Sequence, residues 1–293
     1  MTLKEKKFLK NIFKKRDIEA KKYDHGLLVV IGGSEFYSGP PALSALSAFR
    51  AGVDMVRIIA PKRSANIIAS FQPDLAAFPL EGNYLNKDNL PSVLSIIEGA
   101  KISAPKKTAI VIGGGLGRSP ETQKVIIDLL SKIDIPCVID ADGIYALVKN
   151  KKVISGKPFL ITPHSYEFYI LTGKKVANLS LKEKIKLVKE QADLLKTTIL
   201  LKGSTDIIAS FDSQKSLLFK GGTPFMTVGG TGDVLAGIAG ALLARGIKPL
   251  NAGYASAIIN GYAGKLAGKK FGESLMATDL IKEIPNVLKV LND

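Results

Sequence analysis

The feature that most constrains the fold of this chain is a repeated alternation of short apolar runs with longer segments of helical pattern. A run without polar residues on either face suits a strand that is covered on both sides, as in a mostly parallel sheet. We therefore predict an α/β layered sandwich, with helices on both faces of a mostly parallel central sheet. The predicted strands are residues 27–31, 55–59, 109–112, 137–139, 159–161 and 198–201, and the predicted helices between them are residues 41–51, 64–70, 90–98, 121–131 and 181–195.

The last third of the chain has a different pattern. Two short apolar runs with a polar connection predict a small antiparallel hairpin appended to the sheet, and helical segments follow it. No linker or repeat divides the sequence, so we predict one domain preceded by a Lys-rich N-terminal arm. The hairpin strands are residues 206–210 and 216–219, the closing helices residues 251–268 and 277–291, the arm residues 1–20 and the domain residues 21–293.

The formal net charge of +15 raises the question of a nucleic-acid partner. Basic residues are spread along the chain without interleaved aromatic residues, so a Lys-rich solvated surface is favoured and no nucleic-acid partner is expected. One cysteine, Cys137, excludes an intrachain disulfide and a Cys-based zinc site. No apolar run reaches the ~18–20 residues of a membrane span, and the start lacks a signal peptide, so we expect no membrane partner and a cytoplasmic location.

A glycine-dense turn with one carboxylate, Gly229-Gly230-Thr231-Gly232-Asp233, runs directly into an apolar helical segment. The first turn of a helix presents unpaired backbone N–H groups, and glycines let a phosphate approach them closely. A carboxylate beside a transferable phosphoryl group is well placed to take the proton of an attacking hydroxyl. The alternative role of Asp233 is a simple helix cap, but the density of glycines favours a phosphate site.

Glycines and short polar groups also follow several predicted strands, at the edge where open α/β sheets bind their ligands. None of these groups is specific alone. Asp140 and Asp142 suit either a turn or the binding of Mg²⁺-bound phosphate, and His164 suits either packing or a site. The glycine run at 113–117 is not a dinucleotide fingerprint, because Arg118 stands where the last glycine is required.

Six segments stand in a fixed order between about residue 22 and about residue 291: GGSEFYSGPPALSALSAFRAG, GGGLGRS, VIDADG, ITPHSYEF, LLKGSTDIIAS and GGTGDVLAGIAGALLARG. Together they resemble the ADP- or ATP-dependent NAD(P)H-hydrate dehydratases of the ribokinase-like superfamily. The resemblance implies a ribokinase-like three-layer sandwich. It also implies repair of NADHX and NADPHX, which are nicotinamide cofactors hydrated on the ring: the added hydroxyl is phosphorylated and phosphate is then eliminated.

The resemblance implies a role for individual residues, with Asp233 as the base and the amides of Gly230, Thr231 and Gly232 as the anion hole. It implies Mg²⁺ and ADP or ATP, a separately acting NAD(P)HX epimerase as a functional partner, and a homo-oligomer. The implied nucleotide-binding residues are Lys202, Gly203, Ser204, Thr205, Asp206 and Gly232, the implied substrate-binding residues are Pro40, Gly117, His164 and Asp233, and the implied metal-site residues are Glu167, Asp140 and Asp142.

The chain departs from the family pattern on the substrate side. Gly114 replaces a proline, Ser-Tyr at residues 165–166 replaces Pro-Gly, and Pro40 replaces an alanine. Two other functions stay open from the sequence. A ribokinase-like kinase of the hydroxyethylthiazole-kinase type, acting on another alcohol, would share Asp233 and the anion hole. A non-catalytic nucleotide- or nucleic-acid-binding protein would use the basic surface instead.

Overall fold

The structure, a computed structural model, describes residues 1–291. Its centre is one sheet, whose strands are β1 (Leu27–Ile31), β2 (Met55–Pro61), β3 (Ala76–Leu80), β4 (Thr108–Ile112), β5 (Cys137–Ile139), β6 (Phe159–Ile161), β7 (Thr198–Leu201), β8 (Asp206–Ser210) and β9 (Leu217–Phe219). They lie in the order β3-β2-β1-β4-β5-β6-β7-β8-β9. The pairs from β3 to β7 are parallel, and the pairs β7–β8 and β8–β9 are antiparallel.

Helices cover both faces of the sheet. Within the described residues they are α1 (Leu3–Ile12), α2 (Gly39–Arg50), α3 (Lys62–Phe71), α4 (Leu90–Ser103), α5 (Pro120–Lys132), α6 (Asp142–Leu147), α7 (Ser165–Thr172), α8 (Leu181–Leu195), α9 (Thr231–Ala244), α10 (Pro249–Phe271) and α11 (Ala277–Lys289). One apolar core joins the sheet to α1–α3 and α9–α11. A second core joins its other face to α4–α8. The predicted α/β sandwich is therefore confirmed.

All six predicted parallel strands are present, but two details differ from the sequence prediction. The antiparallel strands are not an appendage, because β8 pairs with β7 and extends the same sheet, with Thr198 opposite Ser210. The strand β3 was not predicted. It is an edge strand in which Phe78 and Pro79 are exposed, so it lacks the continuous apolar run of the buried strands.

The helix α9 is fixed tightly between the sheet and α2. Its side chains from Val234 to Ala244 are all buried. A Cβ atom added at Gly237 would lie 2.1 Å from the carbonyl oxygen of Ser44 on α2, and one added at Gly240 would lie 2.4 Å from Val111 on β4. Only glycine permits both approaches, and the start of α9 is thereby held at the carboxyl ends of the central strands.

The N-terminal helix α1 packs on α10. Leu9 is fully buried, and the hydroxyl of Tyr262 donates a hydrogen bond to Glu5 at 3.0 Å. The division of the chain into an arm and one domain stays a prediction, and residues 292 and 293 of that domain lie outside the described residues. No helix in the described part of the chain is long and apolar enough to cross a bilayer.

Candidate active site

The start of α9 is a group of backbone donors without helical partners. Gly230 precedes the helix with a φ of +94°, a conformation that favours glycine. The backbone N–H of Val234 donates to the carbonyl of Gly230 at 3.1 Å, which leaves the amides of residues 231–233 without an acceptor inside the helix. The hydroxyl of Thr231 donates to the carbonyl of Met226 at 2.9 Å and holds the preceding loop. This arrangement suits an anion.

Two sets of residues lie beside the first turn of α9, which contains Gly232 and Asp233. In the first set, a Cβ atom added at Gly114 would lie 2.7 Å from Oδ1 of Asp233 and 2.9 Å from Cβ of Pro40. The second set lies beside Gly232, where an added Cβ atom would lie 3.4 Å from Nζ of Lys202. After the roles that the resemblance implies for them, we name the set of Pro40 and residues 114–117 the acceptor side and the set of residues 202–206 the donor side.

The carboxylate of Asp233 is poised to accept a proton near neutral pH. Burial raises the pKa of Asp233 to about 7, and the negative charges of Asp140 and Asp142 add to the rise, while the positive charge of Lys202 opposes it. The backbone carbonyl of Asp233 accepts a hydrogen bond from the hydroxyl of Ser44 at 2.9 Å, which fixes the first turn against α2. A base with a pKa near the working pH is an efficient proton acceptor.

Lys202 forms the charged centre of the donor side. Its Nζ lies 2.9 Å from Oδ1 of Asp140 and 3.8 Å from Oε2 of Glu167, and both carboxylates are about 95% buried. Thr162 donates a further hydrogen bond to Asp140 at 2.7 Å. Burial alone would lower the pKa of Lys202, but the charges of Asp140 and Glu167 outweigh it and raise that pKa. Lys202 is therefore a cation at neutral pH.

The loop after β7 lines a small cavity beside Lys202. The backbone N–H of Gly203 donates to Oδ1 of Asp206 at 2.9 Å, which closes the loop. Burial raises the pKa of Asp206 to about 6, although this hydrogen bond and Lys202 oppose the rise. The cavity has a volume of about 150 Å³ and is lined by Ser165, Val176, Leu181, Lys184, Leu201, Lys202, Gly203, Ser204, Thr205 and Ile207. Four of the predicted nucleotide-binding residues, Lys202 to Thr205, thus share one cavity.

The acceptor side brings together two of the three departures from the family pattern. Gly114 lies against both Pro40 and Asp233, as the short distances from an added Cβ show. Gly117, with a φ of +82°, lies in the same loop, and its backbone N–H donates to Oδ2 of Asp142 at 2.9 Å. Of the predicted substrate residues, Pro40 therefore lies at the Gly114 end of this loop, beside Asp233, and Gly117 is held at its other end by Asp142.

His164 is the N-cap of α7. Its Nδ1 accepts hydrogen bonds from the backbone N–H groups of Tyr166 and Glu167 at 3.1 and 3.3 Å. The carboxylate of Glu167 accepts from the backbone N–H of His164 at 2.8 Å, which completes a capping box. About half of the His164 side chain is exposed, and its Nε2 lies 3.4 Å from Oε1 of Glu167. Both ring nitrogens thus face groups at the start of α7, and a substrate-binding role for His164 stays a prediction.

The predicted metal residues do not form an all-protein metal cage. Among the described residues, no group of three or more His, Cys, Asp or Glu side chains could hold a metal ion. Asp140 and Glu167 both face Lys202, whereas Asp142 accepts hydrogen bonds from Gly117 and Arg118 instead.

Three further residues at the site were not predicted from the sequence as site residues. Ser44 holds the first turn of α9, and Nδ2 of Asn260 donates a long hydrogen bond of 3.5 Å to the carbonyl of Thr231. Arg118 pairs with Asp142 at 2.7 Å. Each contact joins residues at least 24 positions apart in the chain, so no local motif could have indicated it.

Replacing Gly232 with alanine should weaken ligand binding without lowering the stability of the fold. The added Cβ would make only ordinary contacts with the protein, and alanine is preferred to glycine in a helix by about 1 kcal/mol. We expect the melting temperature to be unchanged or raised by about 2 °C. Nucleotide affinity and turnover should fall about tenfold or more, because the methyl group occupies the space beside Lys202. Calorimetric titration with nucleotide and thermal unfolding measure the two effects.

Gly99→Ala is the matched control. It lies in α4, where an added Cβ would also make an ordinary contact, 3.5 Å from a guanidinium nitrogen of Arg57. This variant should retain full nucleotide affinity. Unchanged nucleotide affinity in Gly232→Ala would contradict a phosphate site at the start of α9.

The nine-stranded, mostly parallel sheet with helices on both faces defines a ribokinase-like fold. Solved structures agree. The ADP/ATP-dependent NAD(P)H-hydrate dehydratase of Bacillus subtilis, co-crystallized with ATP and Mg²⁺, superposes with a TM-score of 0.77 at 25% identity, covering 98% of this chain and 97% of that one. Arabidopsis thaliana ribokinase superposes with a TM-score of 0.59 at 12% identity, covering 90% of this chain and 99% of that one, a likeness in fold alone.

The sequence comparisons identify the family. The model of the NAD(P)H-hydrate dehydratase family matches residues 28–286. An ADP-dependent (S)-NAD(P)H-hydrate dehydratase of Nitrosopumilus maritimus is 35% identical over 290 residues, 96% of this chain and 94% of that protein. The chain therefore belongs to the NAD(P)H-hydrate dehydratase family. A bifunctional NAD(P)H-hydrate repair enzyme of Pyrobaculum aerophilum is 40% identical over 276 residues, 94% of this chain. The chain spans about half the length of the bifunctional relatives it matches.

Proposed function

We propose that this protein is a nucleotide-dependent dehydratase that converts (S)-NADHX and (S)-NADPHX to NADH and NADPH. The single observation that carries the proposal is the position of Asp233, a carboxylate with its pKa raised to about 7 by burial in the first turn of α9, beside which the acceptor side and the donor side lie. Membership of the family supports the same activity, as does the near-complete match to an ADP-dependent dehydratase.

In this mechanism the ionised Asp233 accepts the proton of the hydroxyl on the hydrated nicotinamide ring. The hydroxyl oxygen bonds to the terminal phosphorus of ADP or ATP as the bond to the bridging oxygen breaks, which releases AMP or ADP. The amides of Gly230, Thr231 and Gly232 stabilise the charge on the transferred phosphoryl group. The ring then loses phosphate and a proton from the neighbouring carbon, and the double bond of the reduced cofactor is restored.

We assign the nucleotide to the donor side, with Gly232, Lys202 and the loop to Asp206 in contact with it. Lys202 supports this assignment, because Asp140 and Glu167 keep it a cation and a cation can bind the phosphates of a nucleotide. Mg²⁺ bound with the nucleotide would neutralise phosphate charge, and it is commonly held by one or two carboxylates together with phosphates. Asp140 and Glu167 fit that pattern, whereas the metal role of Asp142 stays a prediction.

We assign the hydrated dinucleotide to the acceptor side, where Gly114 lies beside Pro40 and Asp233, with Gly117 in the same loop and the half-exposed His164 as further contacts. An epimerase that acts on the same substrate is the proposed functional partner. The names of the bifunctional relatives, which match this chain over only about half of their length, support this proposal. The homo-oligomer and the cytoplasmic location stay predictions.

The proposal is tested by asking which alcohol accepts the phosphoryl group. The purified protein with Mg²⁺ and either ADP or ATP is given NADHX or hydroxyethylthiazole as the only alcohol, and both the reduced nicotinamide and the spent nucleotide are measured. We expect NADH and spent nucleotide to form with NADHX alone. Nucleotide consumption with hydroxyethylthiazole and none with NADHX would identify a ribokinase-like kinase of another alcohol and refute the dehydratase.

A further inference from the structure

Arg118 has an exposed but fixed side chain at the rim of the acceptor side. Its Nε donates to Oδ1 of Asp142 at 2.7 Å, and its guanidinium carbon lies 3.5 Å from the centre of the Tyr145 ring. Asp142 is held in turn by the backbone N–H of Gly117. Although 54% of the Arg118 side chain is exposed, a carboxylate at its edge and an aromatic face fix the plane of the guanidinium.

The two terminal nitrogens of this guanidinium are free to bind a ligand. Within residues 1–291, Nη1 and Nη2 of Arg118 form no hydrogen bond, and only Nε is engaged. A planar guanidinium with two free NH₂ groups matches the oxygens of a phosphate in a bidentate contact. Because Asp142 and Tyr145 already fix the side chain, binding costs little further conformational entropy.

Arg118 follows closely in the chain on a residue that faces Asp233. Gly114, which faces Oδ1 of Asp233, precedes Arg118 by four residues, so their Cα atoms are separated by at most about 14 Å. The helix α5 begins immediately afterwards at Pro120, and its N-terminus adds positive potential at the rim. In a dinucleotide one ribose separates the nicotinamide ring from the pyrophosphate, so a substrate whose ring lies against Asp233 would carry its phosphates away from that carboxylate.

We propose that Arg118 binds a phosphate group of the dinucleotide acceptor and that Asp142 and Tyr145 are positioning residues for it. This inference rests on the proposed function. The pyrophosphate of either dinucleotide and the 2′-phosphate of NADPHX offer the same chemistry to a guanidinium. A contact far from the reacting ring is made equally in the bound substrate and in the transition state, so its loss raises KM and leaves kcat nearly unchanged.

The test compares Arg118→Gln with Arg50→Gln, a control that removes an exposed arginine at the opposite end of α2 from Pro40. KM and kcat are measured for NADHX and for NADPHX over a range of salt concentrations. For Arg118→Gln we expect KM to rise about 10- to 100-fold, kcat to change less than about twofold, and the salt dependence of KM to weaken. An equal rise for both substrates identifies the pyrophosphate, and a larger rise for NADPHX identifies the 2′-phosphate.

Unchanged KM for both substrates would overturn the proposal. A fall in kcat together with a lower melting temperature would also overturn it, because that is the result expected if the Arg118–Asp142 pair only stabilises the fold. Tyr145→Leu removes the aromatic face under Arg118 and should also raise KM. Calorimetric binding of NADH and NADPH to the wild type and to Arg118→Gln keeps the test independent of turnover. Wild-type protein that binds both without regenerating NADH from NADHX would refute the dehydratase alone.

Discussion

Asp233→Asn is expected to reduce turnover of NADHX by about 10²- to 10⁴-fold, the usual contribution of a positioned general base. Asparagine has nearly the same shape as aspartate but cannot accept the proton of the attacking hydroxyl. Because the amides of α9, Lys202 and the acceptor side are unchanged, nucleotide and NADHX affinities should stay within about threefold of the wild type. Steady-state kinetics and calorimetric titration measure both quantities on the same preparation.

The pKa of Asp233 adds a pH dependence to this prediction. Since only the ionised carboxylate accepts a proton, kcat/KM of the wild type should rise with pH up to about 7, as burial places the pKa there. In the unfolded chain this carboxyl group ionises at its ordinary, lower pKa. The free energy of unfolding therefore falls as the pH rises from about 4 to about 7, and above about pH 7 it stays lower by a constant amount.

Asp233→Asn has no carboxyl group to ionise and therefore avoids this loss of stability. With about 1.4 kcal/mol for each unit of pKa shift, the loss in the wild type amounts to about 4 kcal/mol above neutral pH. We expect the variant to melt about 10 °C above the wild type at about pH 8 and to show a smaller difference at about pH 5. Asp74→Asn, at an exposed position, is the control and should change neither activity nor the pH dependence of melting. Wild-type turnover by Asp233→Asn would contradict its role as the base.

Lys202→Glu is expected to have the second large effect, on both stability and nucleotide binding. The buried carboxylates of Asp140 and Glu167 would lose the cation that they share. Breaking a buried ion pair by removing one partner commonly costs about 3–5 kcal/mol, so the melting temperature should fall by about 10 °C. Nucleotide should bind about 100-fold more weakly or worse, because a negative charge would replace the cation facing its phosphates.

Two further variants separate these effects. Lys202→Arg keeps the charge and should retain most of the stability. Lys186→Glu reverses a lysine that is 79% exposed on α8, and it should leave nucleotide binding unchanged. Titrations are made at a temperature at which circular dichroism shows every variant folded. If folded Lys202→Glu bound nucleotide with the affinity of the wild type, residues 202–206 would not be the nucleotide loop.

The fold was largely predictable because buried parallel strands leave an unbroken apolar signature. The runs at β1 and β4 are apolar or β-branched throughout and fully buried, and both were located from the sequence. The edge strand β3 has no such signature, because only Leu80 of its residues is buried. Short helices such as α6 complete less than two turns, which is too little to show a period.

The geometry at the start of α9 was predictable because its signal is local. The glycines and the carboxylate of Gly230 to Asp233 stand together in the chain, and the start of α9 has the unpaired amides that this pattern predicts. The pairing of Lys202 with Asp140 spans 62 positions, and that of Ser44 with Asp233 spans 189. Only the strand order brings such residues together, so their contacts could not be derived from spacing.

The stoichiometry of NADHX repair is the decisive test of phosphorylation followed by elimination. Wild-type protein, Mg²⁺ and limiting NADHX are incubated with ADP or ATP, and NADH, inorganic phosphate and spent nucleotide are quantified over one reaction course. We expect all three to form in equal amounts with one nucleotide and none to form when nucleotide is omitted. NADH formed without nucleotide consumption, or nucleotide consumed without NADH, would contradict phosphorylation followed by elimination.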